Sequence, residues 1–170
     1  MTVPTVVVLL CGSPDRGDDA AALSVARLLG DDLPNWVGVR TVGMLDVDHL
    51  LSIPDGAGAV IVDAAQGVAP GAVFTLRLHG RPSTVRPRST HLLAIPDVVE
   101  LADAVRRRRI PGRIVVVGGL RFGFGDELSI PVAAALPRLA RAIRAAAEVV
   151  AIEASGSVAG PSPSAQRGAA

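Results

Sequence analysis

The sequence predicts an α/β fold, a three-layer α/β/α sandwich on a mainly parallel sheet of about five strands with one antiparallel or edge strand. Three observations predict it. Hydrophobic residues make up 49% of the 170-residue chain but aromatic ones only 2%, so the core must be built from Val, Leu, Ile and Ala, which suits sheets covered by helices. Several apolar runs are rich in β-branched residues and lack alternation, the pattern of strands buried on both faces. Strand and helix signals also take turns along the chain.

VPTVVVLL, from Val3 to Leu10, reads as a central parallel strand. A glycine-containing loop, CGSPDRGDD, follows, and then Ala22, Val25, Ala26 and Leu29 recur at helical spacing before Gly30 closes the segment. Trp36 to Val42 gives a second strand, Asp46 to Ser52 a short helix, and Ala59 to Val62 a third strand that ends on Asp63. Pro70 and Gly71 signal a turn into Ala72 to Leu78, which alternates in polarity. Too few residues precede that strand for a helical crossover, so it is expected antiparallel or at an edge.

Pro96 suits the first turn of a helix running to about Arg108, with His91 just ahead of it. Arg113 to Gly118 is a further buried strand, followed by the glycine-rich loop GGLRFGFGDE, which is expected to act as a mobile flap. The last helix is expected to open at Ser129 as N-cap and to be divided by Pro137. A single domain is expected over residues 1–152. Residues 153–170 are too poor in large apolar groups to repay ordering and are expected to form a disordered tail.

All 17 basic residues are arginine, and against 16 acids the net charge is +1, which gives no global pull toward nucleic acid or membrane. The run Arg106 to Arg109 is expected as a solvated helix end, where cations favour the carbonyl end of the dipole. One cysteine, Cys11, excludes an intramolecular disulfide, and no stretch reads as a signal segment or membrane span, so the cytoplasm is the expected compartment.

In an open α/β sheet, ligands bind outside the carboxyl ends of the strands. That rule selects Asp15, Asp18 and Asp19 after the first strand, Asp63 after the third, His91 before the long helix, and Arg121, Asp126 and Glu127 after the last strand. Asp19, Asp63 and His91 together offer two carboxylates and an imidazole, a set that suits a divalent transition metal with open positions. Each has a plainer reading too: Asp19 as a first-turn acid, Asp63 as a loop hydrogen-bonder, His91 as an exposed histidine like His49 and His79. Asp18 is expected as an N-cap holding the helix mouth, and Cys11 as a small core residue.

Other chemistries lack their residues. No serine sits in a GxSxG elbow, and CGSPDRGDD has neither GxGxxG spacing nor a P-loop lysine. A phosphoacceptor receiver domain would need a lysine after the final strand, and the chain has no lysine at all.

Four stretches in order, LLCGSPDRGDDAAA, VIVDAAQGVAPGAV, STHLLAIPDVVELA and GFGDELSIPVAAALPRLARAI, resemble the hydrogenase maturation proteases, which trim the C-terminal extension of the nickel-iron hydrogenase large subunit. The likeness runs from Val6 to Ile143. It implies that Asp19, Asp63 and His91 occupy the family's nickel-contacting, catalytic positions and that the partner is the hydrogenase large-subunit precursor. The nickel is then the one already inserted in the precursor, so the isolated protein need carry no metal. The family is classed with the aspartic-type endopeptidases. Either a carboxylate acting as general base or a metal polarising the carbonyl is compatible with these residues.

The chain departs from the family pattern in places. Ser13 stands where asparagine is usual, Ala20 and Ala22 where glycine is, and TVGMLDV where a DGGT-like turn is. Alanine does not readily adopt positive φ, so an altered loop around Asp19 is expected. The missing acid in the second loop bears on substrate choice and activity. A non-proteolytic metal- or partner-binding module on the same scaffold is the alternative reading.

Overall fold

A computed structural model describes residues 5–30, 33–79 and 95–157. Five strands form one sheet: β1 (Val6–Cys11), β2 (Val37–Val42), β3 (Gly58–Ala65), β4 (Val73–Arg77) and β5 (Gly112–Gly118), in the order β2-β1-β3-β5-β4. All neighbours pair parallel except β4, which runs antiparallel to β5 at the edge, as the short connection before it predicted. The expected α/β architecture is borne out.

The helices are α1 (Ala21–Leu29), α2 (Val47–Leu51), α3 (Ile95–Arg106) and α4 (Ile130–Ser157), with a 3₁₀ turn at Gly17–Ala20 leading into α1. Strand side chains alternate between two buried clusters. Val6, Val8, Leu10, Val60, Val62, Val115 and Val117 face α1 and α4, whereas Val7, Leu9, Ile61, Ile114 and Val116 face α2 and α3. Both faces of β1 and β3 are covered, which is why β1 is an unbroken apolar run and β3 is interrupted only by Asp63. Leu139 and Ile143 of α4 are wholly buried, and truncating either to alanine removes about 2–5 kcal/mol.

Three expectations are corrected here. Strand β3 does not stop at Asp63 but carries on to Ala65, because Asp63, Ala64 and Ala65 still pair with Val116, Val117 and Gly118. Helix α4 is not divided at Pro137 and continues to Ser157, beyond the boundary expected at residue 152. Pro137 lies on the exposed face, where water can satisfy the carbonyl that loses its donor, while Leu139, Ala140 and Ile143 hold the other face to the sheet. Near its end, Glu153 receives both arms of Arg113 from β5 at 2.6 and 2.8 Å. Residues 158–170, the remainder of the expected tail, lie outside the described residues.

The arginine run is not wholly solvated. The Arg106 guanidinium donates to the carbonyls of Leu50, Leu51 and Ile53, at 3.2, 3.1 and 2.8 Å, capping the end of α2. It also joins Arg108 on Asp55. His49 and His79 have structural roles as well. His49 completes a capping box with Asp46 at the start of α2, and the partly buried His79 ring lies 2.8 Å from the Ile110 carbonyl and 3.3 Å from Asp103.

Candidate functional site

The chain leaves β1 for β2 on one side and later crosses to β3 on the other, so the strand order reverses between β1 and β3, where open α/β sheets bind ligands. Asp19 and Asp63 both stand at that point, near Cys11. Register places Leu10 of β1 beside Val62 of β3, so Cys11 is level with Asp63. Asp19 reaches the same rim because the 3₁₀ turn folds back over the end of β1 and packs against β3.

Gly12 makes that return possible. Its φ is +129°, and a Cβ there would collide with the Asp19 carbonyl oxygen. The Ser13 N–H then donates to Asp19 Oδ2 at 2.9 Å, and the Asp63 carboxylate accepts from the Ala64 N–H at 2.9 Å. Both acids are almost fully buried, Asp19 at 4% and Asp63 at 3% exposure. The third member of the predicted set, His91, lies outside the described residues. No cluster of three or more potential metal ligands occurs among the described residues.

Cys11 reports the charge at this rim. Burial pushes its thiol well above the ordinary range, and the negative charges of Asp63 and then Asp19 push it further. A thiol so placed stays protonated and is no nucleophile, in line with its expected core role.

Asp18 is not the N-cap expected of it. Neither the 3₁₀ turn nor α1 has a side-chain cap, and the wholly buried Asp18 carboxylate points instead at the segment after β5. Its Oδ2 accepts from the N–H of Leu120 at 2.7 Å, the N–H of Arg121 at 2.9 Å and the hydroxyl of Ser129 at 2.8 Å, and its Oδ1 accepts from the Ser129 N–H at 2.7 Å. Burial alone would raise this carboxyl, but the donors from Arg121, Leu120 and Ser129 together outweigh it and hold the group below its usual value. Ser129 sits just before α4 and its carbonyl accepts from Ala133, but its hydroxyl serves Asp18.

The loop between β5 and α4, expected as a flap, is tied by hydrogen bonds to the segment 15–18. Asp18 N–H donates to the Arg121 carbonyl, Gly17 N–H to that of Asp126, and Gly125 N–H to that of Asp15. A Cβ on Gly17, where φ is +57°, would lie 2.7 Å from the Arg121 carbonyl oxygen. Arg121, Asp126 and Glu127 thus stand on a braced segment, which also exposes Leu120 and Phe124, the latter at 87%, ahead of Ile130, exposed at 85% at the start of α4.

The departures from the family pattern leave the turn unstrained. Ala20 has φ −76° and Ala21 −60°, Ala22 lies within α1, and Arg107 alone among described non-glycine residues has positive φ. The second-strand loop is anchored as well, with the Gly43 carbonyl accepting from the Gly12 N–H at 2.8 Å.

Sequence reasoning located Asp19 and Asp63 but missed Ser129 as a partner of Asp18. Its place ahead of an apolar helix looks like an ordinary cap, and no local signal marks a contact between residues so far apart in the chain.

Together these features define an α/β domain with two buried carboxylates at the topological switch of its sheet. The fold is that of the hydrogenase maturation proteases, and the likeness read from the sequence is borne out. The chain is similar to the [NiFe] hydrogenase maturation protease HybD from Thermococcus kodakarensis, at 25% identity and a TM-score of 0.65, over 83% of this chain and 98% of that one. It is similar in fold to the hydrogenase maturating endopeptidase HybD from E. coli, at 20% identity and a TM-score of 0.69, over 85% and 92% of the two chains. For the maturation protease HycI from Thermococcus kodakarensis KOD1 the values are 24%, 0.63, 84% and 92%. No family model and no curated protein matches the sequence.

Proposed function

We propose that this protein is a cytoplasmic endopeptidase, of the aspartic type, that removes the C-terminal extension of a nickel-loaded [NiFe]-hydrogenase large-subunit precursor. The observation that carries the reading is that two buried acids, Asp19 and Asp63, both stand beside Cys11 at the switch point of a fold shared with proteins named as hydrogenase maturation proteases. Two buried carboxylates are oxygen ligands that leave positions open on a metal presented from outside, and His91 completes the set with a nitrogen.

In this reading the nickel belongs to the substrate. Asp19 and Asp63 hold it at the strand ends, so only a precursor with a finished metal centre is gripped. The scissile carbonyl is thereby fixed near the rim, where holding the reacting groups in place lowers the barrier to attack by water. Leu120 and Phe124, exposed on the braced loop, and Ile130 at the start of α4 offer apolar contact to the polypeptide being cut. The protonated, buried Cys11 argues against a thiol nucleophile. A cytoplasmic setting agrees with a single free cysteine and with the lack, among the described residues, of a helix long and apolar enough to cross a membrane.

The test is mass spectrometry of a nickel-loaded precursor incubated with the protein. Loss of the C-terminal extension is expected with the unaltered protein and not with Asp19→Asn. A precursor that binds yet keeps its full mass would replace this reading with that of a binding module.

A further inference from the structure

We propose that Asp18 and Ser129 form a positioning pair for Asp19, holding the 3₁₀ turn so that the Asp19 carboxylate faces the end of β3. The inference rests on the reading of Asp19 as an acid of the site. Asp18 is wholly buried and accepts four hydrogen bonds, every one from the segment 120–129. Its own N–H donates to the Arg121 carbonyl, so both the backbone and the side chain of residue 18 are tied to that segment. Asp19 is the next residue, and its N–H closes the turn on the Arg16 carbonyl at 3.2 Å. These ties fix the backbone that carries Asp19, and the Ser13 N–H then holds its carboxylate from just past β1.

Stability alone is a poor reason for this arrangement. Burying a carboxylate is costly, and burying a second one on the neighbouring residue adds like-charge repulsion. A helix mouth could be capped by an exposed Asp or Ser at far lower cost. The cost is understandable where a rigid acid is required, since small displacements of a reacting group slow chemistry far more than they weaken binding. Three of the four donors are backbone N–H groups, and the Ser129 hydroxyl is the one side-chain donor. A single substitution therefore tunes the pair.

The experiment compares Ser129→Ala, Ser129→Thr and Asp18→Asn by cleavage kinetics on the nickel-loaded precursor. Positioning predicts that kcat falls roughly tenfold in Ser129→Ala and roughly a hundredfold in Asp18→Asn, with KM within about twofold, and that threonine, which keeps the hydroxyl, restores most of the rate. Unchanged kcat in Ser129→Ala, or a rise in KM that accounts for the whole loss, overturns the proposal. A second measurement does not depend on cleavage. Hydrogen exchange of the Ser13 amide, which donates to Asp19, should speed up roughly tenfold in Ser129→Ala relative to the Val62 amide inside β3. An unchanged ratio also overturns the proposal. Should the unaltered protein leave the precursor uncut, the peptidase reading fails, while the Ser13 amide still decides whether the pair positions Asp19. Ser129→Ala removes one hydroxyl only, so it carries the test even where Asp18→Asn does not fold.

Discussion

The backbone N–H of Ser13 donates to Oδ2 of Asp19 at 2.9 Å, so the contact that orients this acid is made by the main chain and is indifferent to the side chain at position 13. Two substitutions separate these roles. Ser13→Asn is expected to leave cleavage within about threefold, whereas Gly12→Ala, which places a Cβ against the Asp19 carbonyl at positive φ, should cost about 3 kcal/mol or more and abolish activity. Chemical denaturation and cleavage assays on the two variants check both statements.

Asp18 makes stability depend on pH in a definite direction. Its carboxyl value is lower in the folded protein than the 3.8 of an unperturbed aspartate. A depressed acid stabilises the fold above its unfolded value, and that contribution is lost as pH falls through the folded value. Asp18→Asn should therefore be less stable than the unaltered protein at pH 7, with the gap narrowing as pH falls below about 4. Urea titrations at pH 7, 5 and 3 measure it, and a gap that stays constant would count against the ionised carboxylate as the source.

Cys11 should be inert. Its thiol is buried and raised by desolvation and by the two neighbouring acids, so thiolate is scarce at working pH. Iodoacetamide at pH 8 is expected to label the folded protein about a hundredfold more slowly than the unfolded chain. Cys11→Ala should still cut, and loss of cleavage in a folded Cys11→Ala protein would reopen the thiol as a participant.

The arginine run divides into a structural and a solvated part. Arg106→Met strands the carbonyls of Leu50, Leu51 and Ile53 at the end of α2 and should cost about 2 kcal/mol. Arg109, which is exposed, should change stability by less than about 0.5 kcal/mol when replaced by methionine. Thermal denaturation of the two variants gives the comparison, and equal effects would refute the division.

Much of the fold was legible in the chain because β1, β3 and β5 are buried on both faces and can tolerate little except Val, Ile, Leu and Ala. The edge position of β4 was legible from the connection before it, which is too short for a helical crossover. Local rules failed where distant groups outbid them. Ser129 looked like a cap, yet its hydroxyl goes to Asp18, and Pro137 looked like a break, yet burial of Leu139 and Ile143 carries α4 past it.

By itself the sequence determined which segments become strands, that helices must cover both faces, and that acids stand after the first and third strands, since each of these follows from local composition and period. Only the tertiary structure decided that Asp18 points to the segment after β5 instead of into its own helix, that this segment is braced, and that Arg106 closes α2. Those outcomes depend on hydrogen-bond partners dozens of residues away, and a buried polar group takes whichever partner the completed packing brings within reach.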